Sequence, residues 1–168
     1  MAAAKYLKVG TDGLPTEQAG ATTATANAII AGDGNGRINA DQMPVGVVAA
    51  TKTLKAKEVI VAGDYINTVL DTTMKAQKAD NSNGRFAEGF ALAGGQIGDD
   101  ILIYLEGMNT SVTGKTVGKK YFLGASGGVV DEDSLPTGAG VLLQYLGKCY
   151  AATEIGPFEQ GNIIVLAA

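Results

Sequence analysis

From Thr53 onward the chain alternates. Thr53–Ala56 switches between polar and apolar positions, Val59–Ala62 is an apolar run, and Gly63-Asp64 closes it with a turn. Tyr65–Leu70 alternates again, and Asp71-Thr72 turns the chain into Met74–Ala79. Asp80–Gly84, DNSNG, is a strong turn signal because Asn and Gly tolerate the backbone angles that tight turns need. Phe86, Glu88, Phe90 and Leu92 then share one face of a strand, while Ala87, Gly89, Ala91 and Ala93 share the other, a bare face that another backbone can approach closely. After a loop over Gly94–Asp100, Ile101, Ile103 and Leu105 point one way and Leu102, Tyr104 and Glu106 the other. Tyr121–Leu123, Val129-Val130, Val141–Leu146 and Ile163–Leu166 supply further strands. Short strands separated by Gly, Asp and Asn turns, with no long helical period between them, predict an all-β fold, a compact barrel or sandwich over residues 51–168.

Residues 1–50 follow a different rule. They are rich in Ala, Thr and Gly and carry no aromatic residue after Tyr6. Lys5–Val9 alternates and reads as a lone short strand, followed by a Thr11-Asp12-Gly13 turn and the extended Leu14-Pro15. Over Ala19–Ala31 the helix preference of Ala is opposed by several Thr residues, so extended structure is expected. Gly32–Pro44 reads as a turn and a short extended piece. Such a segment cannot bury enough large side chains to order itself alone, which predicts an extended N-terminal arm that orders against a partner surface.

Composition narrows the chemistry. The 168-residue chain holds no His, no Trp and a single Cys, Cys149, with 24 Gly. A nucleophile needs a base, and without His the thiol of Cys149 reads as buried and inert. One Cys cannot form an intrachain disulfide. The formal charge of −4 comes with no basic stripe, Lys119-Lys120 being the obvious basic pair, so direct nucleic-acid binding is not expected. No charged and apolar leader opens the sequence, and no apolar run reaches the length of a membrane helix, so neither secretion nor membrane insertion is expected.

Several local patterns invite a site and are weakened by their neighbours. Asp33 and Asn35 fit the first two ligand positions of a calcium loop, but Arg37, Ile38 and Pro44 stand where a ligand, a Gly and a bidentate Glu belong. Gly114-Lys115-Thr116 resembles the end of a phosphate-binding loop, with Asn109 in place of its first Gly. Asp131-Glu132-Asp133 and Asp99-Asp100 read as solvated turn faces rather than cation sites. Asn109-Thr110-Ser111 is a formal glycosylation sequon with no leader to give it use. Tyr104, Tyr121 and Tyr145 are candidates to line a shallow sugar site. No catalytic residue, metal ligand or cofactor is expected.

The order of motifs resembles that of small structural proteins of tailed bacteriophages, in particular head decoration, or cement, proteins. The likeness runs through KYLKVGTDGLPTEQAG, GNGRINADQMPVGV and VAGDYINTV. It continues in KAQKAD and GFALAG, then YLEGMNTSVTG, KKYFLGASGGV and LPTGAGVLLQYLGKCYAATEI. The ending GPFEQGNIIVLAA is longer than the family pattern, and Ile163–Leu166 is placed to add a strand. The resemblance implies a capsid-stabilising protein of the virion exterior, made in the host cytoplasm. It implies the major capsid protein as partner, self-association as a homotrimer, and an arm reaching across the shell. A tail-fibre or baseplate adaptor built on the same β-module is the alternative, and the repetitive stalk of a fibre is missing from this sequence. An enzyme is not expected.

Overall fold

The computed structural model describes residues 5–9, 15–19, 50–161 and 163–167. The chain divides into two compact units, Met1–Val48 and Ala49–Ala168. In the first, β1 (Lys5–Val9) pairs antiparallel with β2 (Pro15–Ala19), with Leu7 opposite Glu17. Lys5–Val9 is therefore half of a hairpin rather than a lone strand. Pro15 opens β2, a position where its missing N–H is tolerated. The extended stretch expected over Ala19–Ala31 and the turn over Gly32–Pro44 lie outside the described residues, as does the rest of the expected arm.

The second unit is all-β. β3 (Thr51–Ala56), β4 (Tyr65–Leu70), β5 (Met74–Lys78), β6 (Gly89–Ala91) and β7 (Asp100–Tyr104) close into a barrel in the order β3-β5-β4-β6-β7. The β3–β5 pair is parallel and the other four contacts are antiparallel. The barrel interior is filled by Ala56, Ile60, Ile66, Ala76, Ala91, Ile101 and Ile103, with Leu54 packed against them. Small residues are required here because five strands leave little internal width. Gly89 shows the constraint most directly: a Cβ at this position would lie 2.5 Å from the Tyr104 carbonyl oxygen. The bare face read from the sequence is thus the line along which β6 closes on β7.

β8 (Gly107–Asn109), β9 (Lys120–Leu123), β10 (Val129–Asp131), β11 (Leu142–Ala151), β12 (Glu154–Phe158) and β13 (Ile163–Val165) form a second sheet. Its order is β10-β9-β11-β12-β8, and β13 pairs with the first residues of β11. A seam of larger side chains joins it to the barrel. Tyr65 and Phe90 come from the barrel strands, and Leu123, Leu146 and Phe158 from the sheet, with Ala79 and Ala87 filling the gaps. The Phe158 ring meets Phe90 edge-on at 6.1 Å and Tyr65 at 5.7 Å, while Phe90 stacks on Tyr104 at 5.6 Å. Fully burying one such ring contributes about 1.5–3 kcal/mol, and tilted ring pairs add about 0.5–1.5 kcal/mol each. A third cluster, Val112, Tyr121, Cys149 and Ile155, lies within the sheet region.

Polar side chains reinforce the seam. The buried Gln144 amide receives a hydrogen bond from the Ala87 N–H and donates one to the Ala87 carbonyl, at 2.7 and 2.8 Å. The β9–β10 loop docks on the barrel through three backbone bonds, Tyr65 N–H to Gly127 O, Gly127 N–H to Ala79 O and Asn81 N–H to Gly124 O. Asp80, itself buried, accepts from the Ser82 N–H and hydroxyl and from the Ser126 N–H. Burial works against the Asp80 charge, but these hydrogen bonds and the nearby Arg85 guanidinium outweigh it and hold the carboxyl below its ordinary range.

Candidate interaction surface

The outer face of the second sheet is built by one irregularity. In a regular strand Tyr145 and Tyr150 would face opposite ways, because side chains alternate. A bulge in β11 changes that. Its pairing with β9 shifts between Tyr145 and Gly147. As a result Tyr145, Lys148 and Tyr150 are all exposed while Leu142, Gln144, Leu146 and Cys149 are buried. Gly147 permits the bulge: its φ is +143°, and a Cβ there would lie 2.6 Å from the Gly156 Cα on β12. Tyr145 and Tyr150, with Lys148, Pro157 and Glu159, line an open groove of about 510 Å³.

Pairing extends this face on both sides of Tyr145. Phe122 stands directly opposite Tyr145, and their rings meet at 5.6 Å. Val130 stands opposite Phe122, and Ile164 opposite Leu143, two positions along β11 from Tyr145 on the same face. Val130, Phe122, Tyr145, Leu143 and Ile164 thus form an apolar band where a half-solvated antiparallel sheet ordinarily presents polar side chains. Tyr145, Tyr150, Ile164 and Val165 remain 45%, 57%, 57% and 61% exposed. Partial burial raises the Tyr145 hydroxyl above its ordinary range, with smaller contributions in the same direction from Tyr150 and Glu132.

The candidate sites read from the sequence are dispersed, and most are already engaged. Lys119 bridges Asp131 at 2.9 Å and Asp133 at 2.7 Å, and these hydrogen bonds raise the ammonium and lower the Asp131 carboxyl. Glu132 accepts from the Lys120 N–H. Asp99 accepts from the Gln96 N–H, and Asp100 pairs with Lys55 at 3.0 Å. Among the described residues no group of three or more His, Cys, Asp or Glu converges as a metal site. Lys115 lies over the Tyr121 ring at 5.6 Å, and the Thr116 N–H donates to the Tyr121 hydroxyl, so Gly114-Lys115-Thr116 packs on an aromatic side chain rather than forming an open cradle. Cys149 is buried, its Sγ 3.0 Å from the Ala151 carbonyl. The Asp33 loop lies outside the described residues.

The three tyrosines considered for a sugar site do not meet. Tyr121 is buried in the sheet interior, Tyr104 stacks on Phe90 at the barrel seam, and Tyr145 faces outward. The residue that does accompany Tyr145 is Tyr150, which strict alternation assigns to the opposite face.

No protein-family model matches this chain, and no curated protein matches it. Among solved structures it is similar to the crystal structure of the head fiber gp8.5 N base of bacteriophage phi29. That likeness has a TM-score of 0.43 and 16% sequence identity, and covers 68% of this chain and 100% of the other. It is too distant to transfer residues or roles.

Proposed function

We propose that this chain is a virion structural protein that binds the outer surface of a phage capsid and stabilises it. The observation that carries the reading is the apolar band Val130–Phe122–Tyr145–Leu143–Ile164, half-buried to exposed and without a covering element among the described residues, continued by the Tyr150 groove. Contiguous apolar surface of this kind on a folded domain marks an interaction face. The order of sequence motifs, which resembles that of head decoration proteins, supplies the kind of partner.

The mechanism is physical. Shell subunits bury the band, each square ångström of apolar surface removed from water contributing about 25 cal/mol. Among the described residues the sheet edges β8 and β10 carry no further strand, which suits strand addition by a neighbouring chain. Three copies around one axis gain avidity that a single weak contact lacks. Reinforcement follows by mass action, since a ligand that binds the assembled shell stabilises it relative to its disassembled parts.

The test compares the unaltered protein with a Tyr145→Ser, Ile164→Ser double variant on purified expanded heads. Both positions are exposed, so the domain should stay folded and lose only about 0.5–1.5 kcal/mol with the Phe122–Tyr145 ring contact, while head binding falls at least about tenfold, equivalent to roughly 1.4 kcal/mol. Heads carrying the unaltered protein should resist heat better than bare heads. Undiminished binding by the double variant removes this face from the reading. A density map of the virion that places the chain on the tail replaces the capsid role with an adaptor role.

A further inference from the structure

The DNSNG turn carries a chemistry that the interaction surface does not use. Asp80 and Arg85 form an isolated antiparallel bridge, and Ser82, Asn83 and Gly84 between them are exposed. Gly84 has a φ of +80°, and a Cβ there would meet nothing within 4 Å. No hydrogen bond within the described residues engages the Gly84 N–H. The Arg85 Nε–H donates to the Asn83 side-chain oxygen at 2.9 Å. The terminal nitrogens of the same guanidinium lie 3.6 Å from Asp80 and 3.7 Å from Glu58.

We propose that Asn83 is a site of spontaneous deamidation through a succinimide, assisted by Arg85. The Gly84 backbone nitrogen gives its proton to hydroxide or buffer base and attacks the Asn83 side-chain carbonyl carbon. A carbon–nitrogen bond forms, and negative charge gathers on the oxygen that Arg85 already contacts. That placement is oxyanion stabilisation in miniature. The side-chain nitrogen takes up a proton and leaves as ammonia, closing a five-membered imide. Water then opens either imide carbonyl, giving aspartate or its isoaspartyl isomer. The net change is amide plus water to carboxylate plus ammonium, with no oxidant or reductant.

Gly84 favours the reaction because no side chain shields its nitrogen and its backbone is free to swing toward the ring geometry. The product is favoured locally too. A carboxylate at position 83 stands beside Arg85, and the chain becomes one charge more acidic than its formal −4. The buried Asn81 and Asn109 are held by the fold, Asn109 donating to the Gly63 carbonyl at 2.9 Å, and should keep their amides.

The experiment incubates the folded full-length protein in mildly alkaline buffer and maps its peptides by mass spectrometry against time. An Asn83→Asp variant serves as the product standard. The peptide carrying Asn83 should gain the mass of an amide-to-acid exchange and split into two chromatographic isomers, with fragment ions placing the change on Asn83 and not on Asn81, while the Asn109 peptide stays unchanged. Isoelectric focusing should show a new acidic band. Arg85→Gln should slow conversion at Asn83 roughly fivefold, the rate equivalent of one net hydrogen bond. If Asn83 keeps its amide in the folded protein while converting in the urea-unfolded chain, the fold protects the site and the proposal fails. If Arg85→Gln leaves the rate unchanged, the assisting role of Arg85 is wrong.

Discussion

The barrel and the second sheet solve the same problem in different ways. The barrel joins β3 to β7 and leaves no strand edge, and β3 turns Thr51, Thr53 and Lys55 to solvent. Among the described residues the second sheet ends in two unpaired edges, β10 and β8, and it turns Phe122, Tyr145 and Ile164 outward instead. Closure removes the unpaired backbone that invites association, whereas an open edge retains it. The difference separates two tasks: the barrel supplies a self-contained scaffold, and the sheet presents a surface that a partner can finish. Between them lies the aromatic seam, which determines whether the two halves behave as one body.

Breaking the seam should give the largest effect. Phe158→Ala removes the ring that contacts both Tyr65 and Phe90, and should cost about 3–5 kcal/mol in urea unfolding. If the barrel stands alone, the variant should also unfold in two stages, the sheet first. One cooperative transition at an unchanged midpoint would mean that the seam is not the joint between the regions.

A smaller loss should follow Asp80→Ala, which strips the acceptor from the Ser82 and Ser126 N–H groups and unfastens the β9–β10 loop from the barrel. About 2 kcal/mol is expected. The pH dependence provides a sharper check. The folded Asp80 carboxyl is depressed below its unfolded value near 3.9. Its contribution is therefore complete above the unfolded pKa and is lost as pH falls through the folded one. Between neutral pH and that acid window, the unaltered protein should lose more stability than Asp80→Ala. Parallel curves would show that Asp80 carries no such linkage.

The smallest change should have the opposite sign. The Tyr65 hydroxyl is buried at the seam without a hydrogen-bond partner among the described residues, and burial raises it well above its ordinary range, only partly offset by the nearby Asn109. Tyr65→Phe deletes an unsatisfied polar atom and keeps the ring. Thermal melting should be unchanged or higher, by up to about 1 kcal/mol in stability. A clear loss would reveal a partner for that hydroxyl.

Much of the strand layout was legible in the sequence because period-two alternation survives in half-buried strands. Ile101 and Ile103 face inward as their spacing requires, and Tyr65–Leu70 matches β4, although its first three residues are all buried because Ile66 faces the barrel and Tyr65 the seam. The apolar run Val59–Ala62 forms only the Ile60–Gly95 bridge, and Ile60 is buried in the barrel core. Four features were hidden. β12 contains Pro157, which breaks the strand signal, yet its neighbour Phe158 fills the seam. β8 is three residues long, too short to show a period. Strict alternation puts Ala87 on the face opposite Phe90, but strand β6 begins only at Gly89, so Ala87 turns into the same cluster. The interaction face was hidden for a related reason: a bulge adds one residue to the count, and no pattern of Tyr145 and Tyr150 reveals it without the Gly147–Gly156 contact.

The Gln144 side chain imitates a neighbouring strand, offering one acceptor and one donor to a single residue across the seam. The Ala87 amide proton is therefore held by a side chain from the other half of the molecule and by no backbone ladder. Its exchange with deuterium requires the sheet to lift from the barrel, whereas protons within either ladder require a strand to part. One amide thus serves as a clock for the separation of the two halves. Its rate, set against that of Ile66 inside the barrel, measures how often the molecule opens along this joint while each half stays folded.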